Sequence, residues 1–260
     1  MANSTLAIPS HIHQWRGSVD RSSSEWFVGK PEVEIVKNLY TKMWASLVAL
    51  TVVMGLLLFV PAGTIRYWQA CVYLAIFTAA SVLTSLYLIK KDPALLTRRM
   101  RGGPTAEKET TQKIIMLFAS MGFIALLVLP ALDYRFGWSV VPLSVVTVGD
   151  TLVAIGFYFI FLVYKDNTFS SATIEVAENQ KVISTGPYAL VRHPMYASAL
   201  LYLIGTPLAL GSYWGLLALP FMMSFLIWRL VEEEKFLAKN LPGYMEYQKR
   251  VQHHLVPYVW

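Results

Sequence analysis

The sequence predicts an all-α protein, a polytopic bundle with about six membrane-crossing segments. Three observations carry this reading. Hydrophobic residues fill 55% of the 260 positions and charged residues only 15%, where an ordinary soluble domain carries about 25% charged. Several apolar runs reach the roughly 17–25 residues that a bilayer-spanning helix needs. Basic residues are also distributed unevenly between the loops, as positive-inside topology requires. Together these argue against a soluble helical bundle.

Taken in order, the chain falls into three regions. Residues 1–43 are polar and mixed, with Ser22-Ser23-Ser24 and no apolar core of a cleavable signal peptide. Trp15, Trp26 and Phe27 point to a surface-lying cap, and the first twenty residues read equally well as disordered. Residues 44–164 hold four spans. The first runs from Trp44 to Val60 and closes at Pro61-Ala62-Gly63, and the second runs from Tyr67 to Ile89. So short a turn makes these two antiparallel neighbours. The loop from Lys90 to Lys113 is basic, a topology signal or a contact for anionic headgroups, and Asp92-Pro93 and Gly102-Gly103-Pro104 break it into pieces. The third span runs from Ile114 to Leu132 and the fourth from Val140 to Tyr164, joined by a turn of Asp133, Arg135 and Gly137. Asp150, an acid inside the fourth span, is a functional candidate by position. Cys71 reads as a small packing residue.

Residues 165–260 form the third region, a polar stretch followed by two short apolar runs, Tyr196 to Leu210 and Tyr213 to Leu230, about the tight turn Gly211-Ser212. Small residues such as Ala199, Gly205 and Gly215 let helices approach closely in lipid. If the two runs form an antiparallel hairpin, two polar clusters emerge together on one side. One is Gly186, Pro187, Arg192, His193 and Pro194 before the first run. The other is Arg229 with Glu232, Glu233 and Glu234 after the second.

Counting charge orients the bundle. With six spans, the turns on the side away from the termini contain only Arg66 and Arg135, and the other twenty of the 22 Lys and Arg lie on the side of the termini. By the positive-inside rule that side is cytosolic, which assigns an integral membrane protein with both termini in the cytosol, of the inner membrane in a bacterium or the endoplasmic reticulum in a eukaryote. The net charge of +6 is then topology and not a nucleic-acid footprint.

The clusters limit the chemistry. Gly186-Pro187-Tyr188 is a rigid turn, and Pro194 suits the first turn of a helix. Arg229 and Glu233 are four residues apart and can pair on one helix face. An acidic triplet at a helix C-terminus opposes the macrodipole and is odd as decoration. There is no Gly-x-Gly-x-x-Gly after a strand, and the single Cys and five His form no metal-ligand spacing. His253-His254 read as surface residues of an amphipathic, aromatic tail that ends in Tyr258 and Trp260. The residues alone lead to a membrane enzyme or transporter with a polar site at the cytosolic interface.

Over residues 165–257 the sequence resembles the isoprenylcysteine carboxyl methyltransferases and their phospholipid methyltransferase relatives. The matching elements are Gly186-Pro187-Tyr188, Arg192-His193-Pro194-x-Tyr196, Arg229 followed by Glu233-Glu234-x-x-Leu237, and Tyr244-x-x-Tyr247. The resemblance implies an enzyme that holds S-adenosylmethionine in a non-Rossmann pocket. It would be contacted by Gln180, Lys181, Val182, Ile183, Gly186, Tyr188, His193, Pro194, Met195, Tyr196 and Glu233. Arg229 would grip the methyl acceptor, with Arg229 and Glu233 the catalytic pair and no metal. The implied acceptor is a carboxylate on a lipid-like or prenylated substrate, and the implied partners are membrane lipids and no nucleic acid. The first four spans match no motif. Two alternatives stand beside this reading: a nicotinamide-dependent reductase of sterol-reductase architecture, and a membrane sensor or transporter with no catalysis.

Overall fold

The computed structural model describes residues 21–257, with side-chain surroundings from Lys37 onward. The expectations for Trp15, Trp26, Phe27, Tyr258 and Trp260 lie outside what is described. Met1–Asn38 and Leu39–Trp260 are separate units, and the site lies wholly in the second.

The described residues form eight α-helices with no strand: α1 (Arg21–Ala62), α2 (Trp68–Lys91), α3 (Pro93–Met100), α4 (Thr110–Phe136), α5 (Leu143–Asp166), α6 (Pro194–Ala209), α7 (Ala218–Asn240) and α8 (Tyr244–Arg250). Five segments are long and apolar enough to cross a membrane: Lys37–Ala62 within α1, α2, α4, α5 and the stretch Trp214–Asn240 that contains α7. Helix α6 is apolar but has only 16 residues, about 24 Å at 1.5 Å per residue against a hydrocarbon core of about 30 Å. The class is that of the sequence reading, an all-α membrane bundle with a short sixth helix.

Several boundaries differ, each for a local reason. Asp92-Pro93 starts a helix as well as ending one. The Asp92 carboxylate accepts the Leu95 amide at 2.8 Å, and Pro93 takes the first helical position, so α3 occupies part of the expected loop. Asp133 lies inside α4 and not in a turn. It is buried and accepts the Ser139 amide and hydroxyl, each at 2.7 Å, and the Ser212 hydroxyl. Helix α4 therefore runs on to Gly137, whose left-handed φ of 65° stops it. Helix α7 extends to Asn240, which leaves the acidic triplet well before its end and removes the expected conflict with the macrodipole. Cys71 is exposed on α2 and does not pack inside the bundle.

The main correction concerns the hairpin. Helix α6 packs along α5 and α7 along α4, with little direct contact between α6 and α7. Glycines choose these partners. A Cβ on Gly149 would stand 2.2 Å from the Ala209 nitrogen, one on Gly156 2.8 Å from the Tyr202 nitrogen, and one on Gly205 2.8 Å from the Gly149 carbonyl oxygen. Backbones this close exclude any side chain at the three positions, and such approach is how helices associate in lipid. Buried hydroxyls join α2 to α6: Tyr67 donates to the Leu210 carbonyl at 2.5 Å, and the Tyr73 and Tyr202 hydroxyls lie 3.2 Å apart. With α6 drawn to α5 and α7 drawn to α4, space opens between the two arms of the hairpin on the side of the polar clusters.

Candidate functional site

That space is a cavity of about 720 Å³, within the roughly 300–1,000 Å³ usual for small-molecule sites. Its polar end is walled by the segment after α5, the start of α6 and the end of α7. Its other end runs between apolar side chains, among them Leu50, Val53 and Leu57 of α1 and Ala119 and Phe123 of α4.

The segment between α5 and α6 is held in place from both ends. Gly186 has a φ of 55°, and a Cβ there would fall 1.9 Å from an Asp166 carboxylate oxygen, so the turn admits only glycine without rearrangement. Asn167 donates to the Tyr188 hydroxyl at 2.8 Å. Burial pushes the Tyr188 phenol up to about 12, which keeps it neutral. Arg98 donates to the Thr168 carbonyl and Arg99 to the Ser171 carbonyl at 2.8 Å. Two cations of the basic loop thus anchor the cavity wall.

Of the residues singled out from the sequence, Gln180, Lys181, Val182, Ile183, Tyr188, His193, Pro194, Met195, Tyr196, Arg229 and Glu233 all line this one cavity. Gly186 is absent from the lining and acts on the turn. Asp150 also lies away from it.

The three adjacent acids of α7 have separate partners, as successive side chains about 100° apart around a helix must. Glu232 pairs with Lys235 at 2.8 Å on the outer surface. Glu233 faces the cavity and accepts the Tyr196 hydroxyl at 2.6 Å. Glu234 turns to the start of α6, where one oxygen meets Arg192 Nε at 2.6 Å and His193 Nε2 at 3.1 Å. Arg192 also donates to the Val251 and Gln252 carbonyls at 3.0 and 3.1 Å. The backbone amides of Arg192 and His193 donate to the carbonyls of His253 and His254 at 2.9 and 3.0 Å. The tail is therefore docked on the Arg-His-Pro turn, and His253-His254 are not the free surface pair expected. Burial lowers the His254 pKa, which suits a neutral ring lying 2.6 Å from an Arg192 nitrogen.

The expected Arg229–Glu233 pair does not form. Arg229 instead meets Glu107 at 2.8 Å and donates to Gln112 Oε1 at 3.1 Å and the Ala172 carbonyl at 3.0 Å. Arg229, Glu107 and Gln112 are all buried. Sequence reasoning missed Glu107, Gln112 and the clamp role of Glu234. An acid and a glutamine beside a loop thick with Lys and Arg look solvated, and only the fold carries them to α7.

The two tyrosines of the Tyr244-x-x-Tyr247 element divide their work. Tyr247 donates to the Tyr188 carbonyl at 2.8 Å. Tyr244, on the cavity wall, has a buried hydroxyl with no hydrogen-bond partner among the described residues, the kind of group a ligand completes.

The fold and site thus define a helical membrane protein with an amphipathic cavity, polar at one end and apolar at bilayer depth. Residues 144–242 match the phospholipid methyltransferase family. Over these residues, α5 to α7, the chain is similar to that family, and the resemblance read from the motifs is borne out. The cobalt-zinc-cadmium resistance protein CzcN of Cupriavidus metallidurans is 29% identical over 105 residues, 40% of this chain and 48% of that protein. The chain spans about half the length of this curated relative.

The clamp generates a test. Glu234→Ala leaves the buried Arg192 without its counter-charge, which costs about 3 kcal/mol or more. It is expected to lower the unfolding midpoint in detergent and to expose the Lys249 and Arg250 peptide bonds to trypsin. An unaltered digestion pattern would show that the tail is held by other contacts.

Proposed function

We propose that the chain is an S-adenosylmethionine-dependent methyltransferase that methylates a carboxylate on a lipid-like or prenylated acceptor at the cytosolic membrane interface. The observation that carries this reading is a cavity with a charged end and an apolar end, lined by all but Gly186 of the residues that the family resemblance implies for the cofactor. When bound, S-adenosylmethionine supplies an electrophilic methyl on sulfur, which passes to a carboxylate oxygen as the carbon–sulfur bond breaks, with no proton to move.

The polar end fits that cofactor by its donor set. Glu233 offers a half-buried carboxylate to a cationic ligand, fixed by Tyr196. Tyr244 brings an unpaired hydroxyl, and Val182, Ile183 and Leu237 offer apolar walls for a flat base. Arg229 reaches the same cavity one helical turn before Glu233 and keeps some of its five N–H donors beyond those facing Glu107, Gln112 and Ala172. Those left can align one carboxylate oxygen. Alignment and exclusion of water are the main aids such a displacement needs. The apolar end would take the acceptor's chain from the bilayer.

Calorimetry on detergent-purified protein tests the cofactor. Wild type is expected to bind S-adenosylmethionine and not NADPH. Glu233→Ala and His193→Ala are each expected to bind roughly ten- to a hundredfold more weakly, the cost of one contact to a charged group. Arg229→Lys keeps the charge but loses the planar fork, so turnover falls while cofactor affinity stays within a few fold. Binding of NADPH instead would make the protein a reductase.

Orientation is tested separately, since the Lys90–Lys113 loop is proposed to be cytosolic with the termini. In a Cys71→Ala background, Thr105→Cys is expected to resist an impermeant thiol reagent added outside intact cells. Labelling there would invert the topology.

A further inference from the structure

Arg229 and Glu233 are one turn apart on α7, both line the cavity, and an ion pair between them is the ordinary outcome for this spacing. The structure avoids it. The guanidinium is drawn away by Glu107 at 2.8 Å, Gln112 at 3.1 Å and the Ala172 carbonyl at 3.0 Å, and Glu233 keeps its carboxylate on the cavity with Tyr196. Glu107 is itself buried, and its other oxygen receives the Ile174 amide at 3.4 Å. It does not line the cavity, and it lies outside the 144–242 segment that matches the family. It reaches the site through Arg229 and, more weakly, through the Ile174 amide of the cavity wall.

We infer that Glu107 is a positioning residue that keeps Arg229 off Glu233, so that the Glu233 carboxylate stays free for the cationic cofactor. The inference rests on the cofactor reading above and adds a second element to it: a charge from the loop before α4 sets the state of a motif on α7. In surroundings where water cannot stabilise it, a guanidinium deprived of its counter-ion moves to the next available acid. Four residues along the same helix, that acid is Glu233. Gln112 and the Ala172 carbonyl are neutral and cannot hold the charge alone. Removal of Glu107 thus closes Glu233 from a distance, and removal of Arg229 as well reopens it.

The test is a double-mutant cycle read as S-adenosylmethionine affinity by calorimetry, with binding stoichiometry and the melting point of ligand-free protein recorded for each variant. Those two readings separate weakened binding from lost fold. Glu107→Gln is expected to bind about tenfold more weakly at unchanged stoichiometry, the scale of one charge-assisted contact. Arg229→Gln is expected to stay within a few fold of wild type, and the double variant Glu107→Gln/Arg229→Gln to return to within a few fold. Wild-type affinity in Glu107→Gln would overturn the inference. So would a double variant as weak as Glu107→Gln, because Glu107 would then act through the fold and not through Arg229. Failure of wild type itself to bind overturns the cofactor reading, and this inference with it.

Discussion

The geometry of the site depends on where the Glu234 carboxylate points. That one group meets Arg192 and His193 at the start of α6, and Arg192 in turn holds the carbonyls of Val251 and Gln252. Helices α6 and α7 barely touch along their length, because glycine contacts pull α6 to α5 and α7 packs on α4. Without a tie at their polar ends nothing would fix the width of the gap between them. The ion pair closes the mouth of the hairpin while the packing keeps its body open, and the cavity is the space left between these two requirements.

A second constraint is that charge within a lipid-facing body must be balanced inside the protein. The described residues do this by giving each member of the acidic triplet a different task. One turn of helix sends Glu232 outward, Glu233 to the cavity and Glu234 to the clamp. Arg229 would upset this division if it took the nearest acid, and Glu107 supplies another. The basic loop after α2 has a similar double use. Its charge is the topology signal of the positive-inside rule, while Arg98 and Arg99 spend their donors on the carbonyls of the cavity wall.

The class of fold was legible because long apolar runs and loop charge are one-dimensional signals. The place of the polar clusters was legible too, since His193-Pro194 and the acidic triplet are local punctuation at helix ends, and the residues that the resemblance named beside them, Gly186 excepted, line the cavity. What could not be read was pairing. Helices that are apolar all round carry little periodic information about which face meets which neighbour, so Gly205 was read only as a small residue of the hairpin, and its partner is Gly149 on α5. The Arg229–Glu233 pair was the natural choice from spacing alone, yet the winning partner sits 122 positions earlier in the chain. Asp133 shows the same limit: it reads as a turn acid and is in fact a buried cap that ties the α4 end to Ser139 and Ser212.

The central claim is that the charged and apolar ends of one cavity bring a methyl donor and a membrane-borne carboxylate together. Its most direct measurement uses purified protein, a membrane lipid extract and S-adenosylmethionine labelled on the transferred methyl. The account predicts label in the organic phase with wild type, its loss with Glu233→Ala, and release of the label as methanol on mild alkaline hydrolysis, as a methyl ester requires. Label that resists alkali would contradict a carboxylate acceptor, and an organic phase without label would contradict methyl transfer to a lipid-like substrate.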